Sequence, residues 1–143
     1  MCLISYKEKK IAEEDITVYK ILCKHVNNLV DTIEYHPPFK SRFEYKKGLN
    51  STESEKENVY KNVYKNYART TVEGGFLHAY TDIRVAFRIM KENFVDVKPF
   101  KETYHVFKMV IPKGTEYYEG CVTDICAKVL KWKDMKPCEE PIR

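Results

Sequence analysis

The feature that most constrains this chain is a succession of short runs rich in β-branched and aromatic residues, joined mostly by links too short to hold a crossover helix. The runs are residues 2–6, 16–23, 30–35, 42–45, 76–80, 104–111, 116–119 and 127–132. Branched and ring side chains pack well on a pleated surface, so each run reads as a strand. Short links join strands that run in opposite directions, because a parallel pair needs a connection of about a dozen residues or more. The punctuation agrees. Asn27-Asn28 tolerates the left-handed backbone of a hairpin turn, Pro37-Pro38 stops the third run, and Gly48 ends the fourth. Gly74-Gly75 interrupts a hairpin, and Pro112-Lys113-Gly114 closes Tyr104–Ile111, the strongest strand. Residues 11–15 form a polar link or a single helical turn.

Two segments carry helical periodicity instead. Thr81 or Asp82 is a good N-cap, and Ile83, Ala86, Phe87, Met90 and Phe94 recur at i, i+3, i+4, i+7 and i+11, with Arg84, Arg88 and Lys91 opposite. Between Ser51 and Tyr67, Thr52-x-x-Glu55 has capping-box form, and Val59-Tyr60-Lys61-Asn62 repeats as Val63-Tyr64-Lys65-Asn66. Tyr60, Tyr64 and Tyr67 then form one aromatic stripe, read as the buried face of an amphipathic helix, with a partner-facing stripe as the alternative. The expected architecture is α+β: a mostly antiparallel sheet packed against one or two helices, with a single domain over residues 1–132 and a loose tail over 133–143. Phe87, Met90, Phe107 and Met109 are expected in the core.

The chain has 143 residues, 43% apolar and 32% charged, which suits one globular domain and excludes a disordered chain. No apolar run approaches the ~20 residues needed to span a bilayer. The start turns charged at Lys7–Lys10, so no signal-peptide core is expected and a cytoplasmic location is, the host cytoplasm for a phage-encoded chain. The five cysteines are scattered, without a Cys-x-x-Cys pair, and are expected to be free thiols. Cys121, Cys126 and Cys138 lack the spacing of a zinc finger, so neither metal nor cofactor is expected. A net charge of +4, with 20 Lys against five Arg, permits an anionic ligand without demanding one.

No glycine-rich phosphate loop, nucleophile elbow or metalloprotease motif is present. His25 and His36 lie in turn-like contexts. His105 shares its strand with inward-facing Phe107, Met109 and Ile111 and is expected to be a hydrogen-bonded core histidine. His78, between Phe76 and Tyr80 and just before a helix start, is the best placed for function.

Met1-Cys2-Leu3-Ile4-Ser5, Glu14–Lys20, Gly75–Tyr80 and Ile111–Gly120 together resemble a group of small proteins of gut Bacteroidetes and their phages that carries no assigned activity. A fainter similarity is to the ADP-ribosyltransferase-like fold, in which a first strand carries a ligand-contacting residue and a strand ending in Pro-Lys-Gly follows the helix. Tyr19-Lys20 stands where such an enzyme has Arg or His, and neither Ser-Thr-Ser nor Glu-x-Glu is present. That similarity implies a nucleotide-shaped cleft without the catalytic set.

The function expected from these residues is a non-enzymatic binding module for a small anionic, nucleotide-like ligand. Tyr19, Tyr80, Tyr117 and Tyr118 are candidates to stack a base; Lys20, Arg84 and Lys113 are candidates to hold phosphate, with His78 beside the helix start. In a phage, such a protein sequesters a host nucleotide signal as a counter-defence. The alternatives are a protein-interaction or virion accessory module that uses the tyrosine stripe, and a divergent ADP-ribosyltransferase-like enzyme; a homo-oligomer is a further partner expectation. Nucleic acid is not expected as a partner, because acidic residues dilute the basic ones throughout.

Overall fold

Three very short links decide the shape of the sheet. The computed structural model describes residues 9–27, 29–38, 43–51, 76–94, 103–120 and 123–142. Within them lie β1 (Lys10–Ile11), β2 (Ile16–Asn27), β3 (Thr32–His36), β4 (Gly48–Asn50), β5 (Leu77–Tyr80), α1 (Ile83–Asn93), β6 (Thr103–Ile111), β7 (Glu116–Glu119), β8 (Asp124–Ala127) and β9 (Leu130–Trp132). The strands form one sheet in the order β1-β7-β8-β5-β2-β6-β9-β4, with β3 on β2, and every pair is antiparallel. β8 is third in that order and β9 seventh, yet only Lys128 and Val129 separate them. Four strand spacings in a flat sheet cover about 19 Å. The three Cα steps from Ala127 to Leu130 reach about 11 Å at most. The sheet therefore curls back on itself. The β1–β2 and β6–β7 links impose the same closure, and they touch each other: the Ala12 amide donates to Thr115 O at 2.9 Å and the Gly114 amide to Ala12 O at 2.8 Å.

The curled sheet wraps the main core. Val18 and Leu22 of β2, Phe107, Met109 and Ile111 of β6, Ile125 and Ala127 of β8, and Leu130 and Trp132 of β9 point into it, together with Phe43 and Tyr45. The aromatic centre packs edge to face: Phe107 lies 4.8 Å from Trp132, and Tyr35 lies 5.4 Å from Phe107 and 5.1 Å from Trp132. Alternate residues of the same strands, Ile21 and Val106, face the other way and meet α1 through Ala86 and Phe87. Asp82 is the N-cap, its Oδ1 accepting from the Arg84 amide at 2.9 Å. The sheet, the helix face and the core residues Phe87, Phe107 and Met109 agree with the sequence reading, and Met90 packs against the helix-side cluster.

Several details differ. Among the described residues there is one helix; the tyrosine stripe, residues 2–6 and Gly74-Gly75 lie outside them. Residues 127–132 are not one strand: the chain breaks at Lys128, whose amide donates to Glu116 O at 3.0 Å, and changes partners from β5 and β7 to β6 and β4. Residues 43–46 form no strand, and the pairing falls to β4 instead. β1 occupies part of the expected polar link. The returning strand of the first hairpin starts at Thr32, with Asp31 taking the left-handed backbone at φ 51°. His25 and His36 lie in paired strands, not turns. The Pro112–Thr115 turn closes as read, with the Thr115 amide donating to Pro112 O at 3.1 Å and Gly114 at φ 88°, the sign a type II turn requires at that position. Residues 133–142, expected to be loose, make specific contacts: the Cys138 amide donates to Val106 O at 2.8 Å, Met135 packs on the main core, and Glu140 pairs with Lys91 of α1.

Candidate functional site

β2 is twelve residues long, and its edge away from β6 is shared by two shorter strands. β5 meets it at Tyr19 and β3 meets it from Cys23 to Asn27. Between those stretches, at Lys20–Leu22, no strand of the described residues pairs with that edge, and a cleft opens. Lys20, Ile21, Pro37, Pro38, Phe43, Tyr45, Phe76, Leu77, His78, Tyr80 and Phe94 line it, around a space of about 70 Å³.

Lys20 sets the chemistry. It occupies an inward position between Val18 and Leu22, where the alternation of β2 calls for an apolar residue, and it is only 7% exposed. Its Nζ donates to the main-chain oxygen of His78 and lies 5.5 Å from the centroid of the Tyr45 ring. The ammonium thus satisfies a carbonyl that strand pairing would otherwise satisfy, at the point where β5 parts from β2. The surrounding walls are aromatic, and burial pushes the Tyr45 phenol well above its usual range.

His78 and Tyr80 sit on the helix side of β5, ring centroids 4.8 Å apart and edge to face. Asp124 of β8 pairs in register with Tyr80, and its Oδ1 is 3.6 Å from His78 Nε2, an electrostatic contact longer than a hydrogen bond. Burial holds the His78 imidazole below its ordinary pKa; Asp124 pulls it back up and the Lys20 charge pushes it further down. At neutral pH the imidazole is therefore uncharged. Burial, reinforced by the Asp124 charge, raises the Tyr80 phenol to about 12.

Of the eight residues singled out from sequence, the cleft gathers three: Lys20, His78 and Tyr80. Tyr19 packs in the helix-side cluster, directly across from Tyr80. Arg84 is exposed on α1 and lines a separate groove against residues 140–142, while the helix start is already capped by Asp82. Lys113 is exposed on the β6–β7 turn, its amide donating to Asp15 Oδ1 at 2.9 Å. Tyr117 packs against the main core and Tyr118 against Cys126 and Phe76. Pro37, Pro38, Phe43, Tyr45 and Phe94 were not singled out. Their only sequence signal is apolar or aromatic character, which marks core as readily as cleft. No family model, curated protein or solved structure matches the chain.

Proposed function

We propose that the chain is a non-enzymatic binding module for a small anionic, nucleotide-like ligand, taken up at the β5–β3 split with the Lys20 ammonium as its charged contact. The observation that carries this reading is the placement of a buried cation within aromatic walls at a break in the sheet. Aromatic faces stack planar rings, and a desolvated ammonium is a strong donor to an anionic oxygen. The space of about 70 Å³ is far below the ~300–1,000 Å³ of a site that encloses a whole drug-sized ligand. It suits one end of a ligand, with the remainder outside. Among the described residues, no titratable pair in the cleft has the arrangement of a nucleophile with its base, since His78 faces Asp124 and the lysine bonds a main-chain oxygen. For a phage-borne chain, sequestering a host nucleotide signal is the use such a module would have.

The test is a thermal-shift screen against linear and cyclic nucleotides, followed by calorimetric titration of any that stabilise the native state. Binding tighter than about millimolar, weakened tenfold or more by Lys20→Met, supports the reading. No binding, or binding untouched in the combined Lys20→Met and His78→Gln variant, refutes it.

A further inference from the structure

The cleft contains a donor besides Lys20. In an antiparallel ladder the N–H and C=O of one residue point to the same neighbouring strand, and successive residues alternate between the two sides. Val106 is the β6 partner of Ile21, yet its carbonyl accepts from the Cys138 amide. Ile21–Val106 is therefore a non-hydrogen-bonded pair, and the Ile21 main chain faces away from β6. β3 gives the same answer. Tyr35 O accepts from the Tyr45 amide outside the hairpin, so Lys24–Tyr35 is a non-hydrogen-bonded pair and Cys23 bonds to His36. Counting back in steps of two, Cys23, Ile21 and Tyr19 all face the split edge of β2.

Tyr80 meets Tyr19 at that edge and His36 meets Cys23, but no strand of the described residues meets Ile21. Its partner in a continuing ladder would be His78, and the pairing with β5 ends at Tyr19–Tyr80. The oxygen the Ile21 amide would have bonded, His78 O, accepts from the Lys20 ammonium instead. The Ile21 N–H is thus a main-chain donor, in a residue only 3% exposed, without an acceptor among the described residues. Buried main-chain amides are almost always bonded, so this one points to an acceptor that enters from outside the chain.

We propose that the Ile21 amide and the Lys20 ammonium form one oxyanion site, which receives the terminal phosphate or carboxylate of the cleft's ligand. This rests on the reading of the cleft given above and adds which end of the ligand enters first. Both donors are directed at the same place, because the ammonium bonds the carbonyl that the amide faces. An oxygen that reaches the amide lies in the plane of the sheet, between β5 and β3, in a space of about 70 Å³. A terminal group has one substituent, which can point out of the cleft. A phosphate esterified on two sides must press its second substituent against a flanking strand. The site therefore selects a terminal phosphate or a carboxylate over a phosphodiester.

The experiment is NMR on isotope-labelled full-length protein. Without added anion, scalar couplings across the hydrogen bonds should connect the Tyr19 amide nitrogen to the Tyr80 carbonyl and the Cys23 nitrogen to the His36 carbonyl. Ile21 should show none, and a coupling from Ile21 to the His78 carbonyl would overturn the site. Inorganic phosphate and acetate are then titrated separately, with chloride at equal ionic strength as the control. A saturable downfield shift of the Ile21 amide proton supports the site, and the anion that produces it tells phosphate from carboxylate. No shift with either anion means that water alone meets the amide, and the proposal fails. Lys20→Met should weaken the effective anion at least tenfold, and adenosine 5′-monophosphate should bind at least tenfold more tightly than its 3′,5′-cyclic counterpart. Nucleotide binding that leaves the Ile21 amide unmoved sinks this site and spares the cleft reading. An anion seated at Ile21 in a protein that binds no nucleotide does the reverse. The unaltered protein decides each of these outcomes, so a poorly folded variant cannot shelter the idea.

Discussion

Replacing Lys20 with Met separates the binding role of this residue from its structural one. Methionine keeps a flexible, unbranched stem in the inward row of β2 but has no charge and no donor. In the native protein the ammonium makes a charged hydrogen bond to His78 O, worth about 1.5–3 kcal/mol net. Its 5.5 Å approach to the Tyr45 centroid adds about 0.5–2 kcal/mol. Against these stands the desolvation of a cation at 7% exposure, of the order of several kcal/mol. The opposed contributions are of similar size, so the stability of Lys20→Met should stay within about 2 kcal/mol of the parent, read from urea denaturation. Ligand affinity has no such compensation and should fall roughly ten- to a hundredfold, as calorimetry would record. A third readout is internal. The Lys20 charge is one of the factors that lower the His78 pKa, so its loss should move the imidazole titration upward, visible by NMR. A stability loss well beyond 3 kcal/mol would show that Lys20 is mainly a structural strut. An unmoved His78 titration together with unchanged affinity would show that the charge is not in the cleft at all.

Phe87→Ala should cost about 3–5 kcal/mol, because Phe87 is 8% exposed and sits with Ala86 at the centre of the α1–sheet contact; an unchanged denaturation midpoint would mean the helix face is loosely packed. His78 gives a pH dependence whose sign follows from burial. Its folded pKa lies below the unfolded value of 6.5, so the unfolded chain binds the proton first. The stability contributed by the neutral imidazole is complete above that value and is lost as the pH falls below it towards the folded pKa. His78→Gln should flatten the denaturation profile in mildly acid solution, and parallel profiles for the two proteins would refute the assignment.

Local rules made much of this fold legible. The α1 periodicity, its Asp82 cap and the Pro112–Thr115 turn each follow from a handful of adjacent residues, and each is where the sequence puts it. What needed long-range information was harder to read. Residues 127–132 look like one alternating strand, but Ile125 and Ala127 are odd-numbered inward residues whereas Leu130 and Trp132 are even. That change of parity marks the break at Lys128, and only the closure of the sheet explains it. The tail illustrates a different limit. Two prolines and mixed charge gave no sign that Cys138 would dock under β6, because the docking is one main-chain hydrogen bond and one half-buried thiol rather than a pattern. For the site, Lys20 carried a signal as a charged residue flanked on both sides of its inward row by the apolar Val18 and Leu22. Lys113 and Arg84 carry charge near a turn and a helix start, and composition cannot say that the turn faces solvent or that Asp82 already fills the helix end.

The split itself indicates which ligands the cleft should prefer. A sheet edge that loses its partner leaves main-chain groups to be satisfied, and here the Lys20 ammonium supplies the donor for His78 O. A ligand that enters must either share that ammonium or take it from the carbonyl. A neutral oxygen offers nothing the carbonyl does not, whereas an anionic oxygen makes a bond about twice as strong in the same dry setting. The walls contributed by Tyr45, Phe76 and Tyr80 do not distinguish charged from uncharged forms of one ring system, so discrimination rests on Lys20. A nucleoside 5′-monophosphate should therefore bind at least tenfold more tightly than the matching nucleoside, and Lys20→Met should erase most of that gap while leaving the weak nucleoside affinity in place. Equal affinities in the parent protein would mean that the aromatic walls alone hold the ligand, and that the lysine serves only to close the edge of β5.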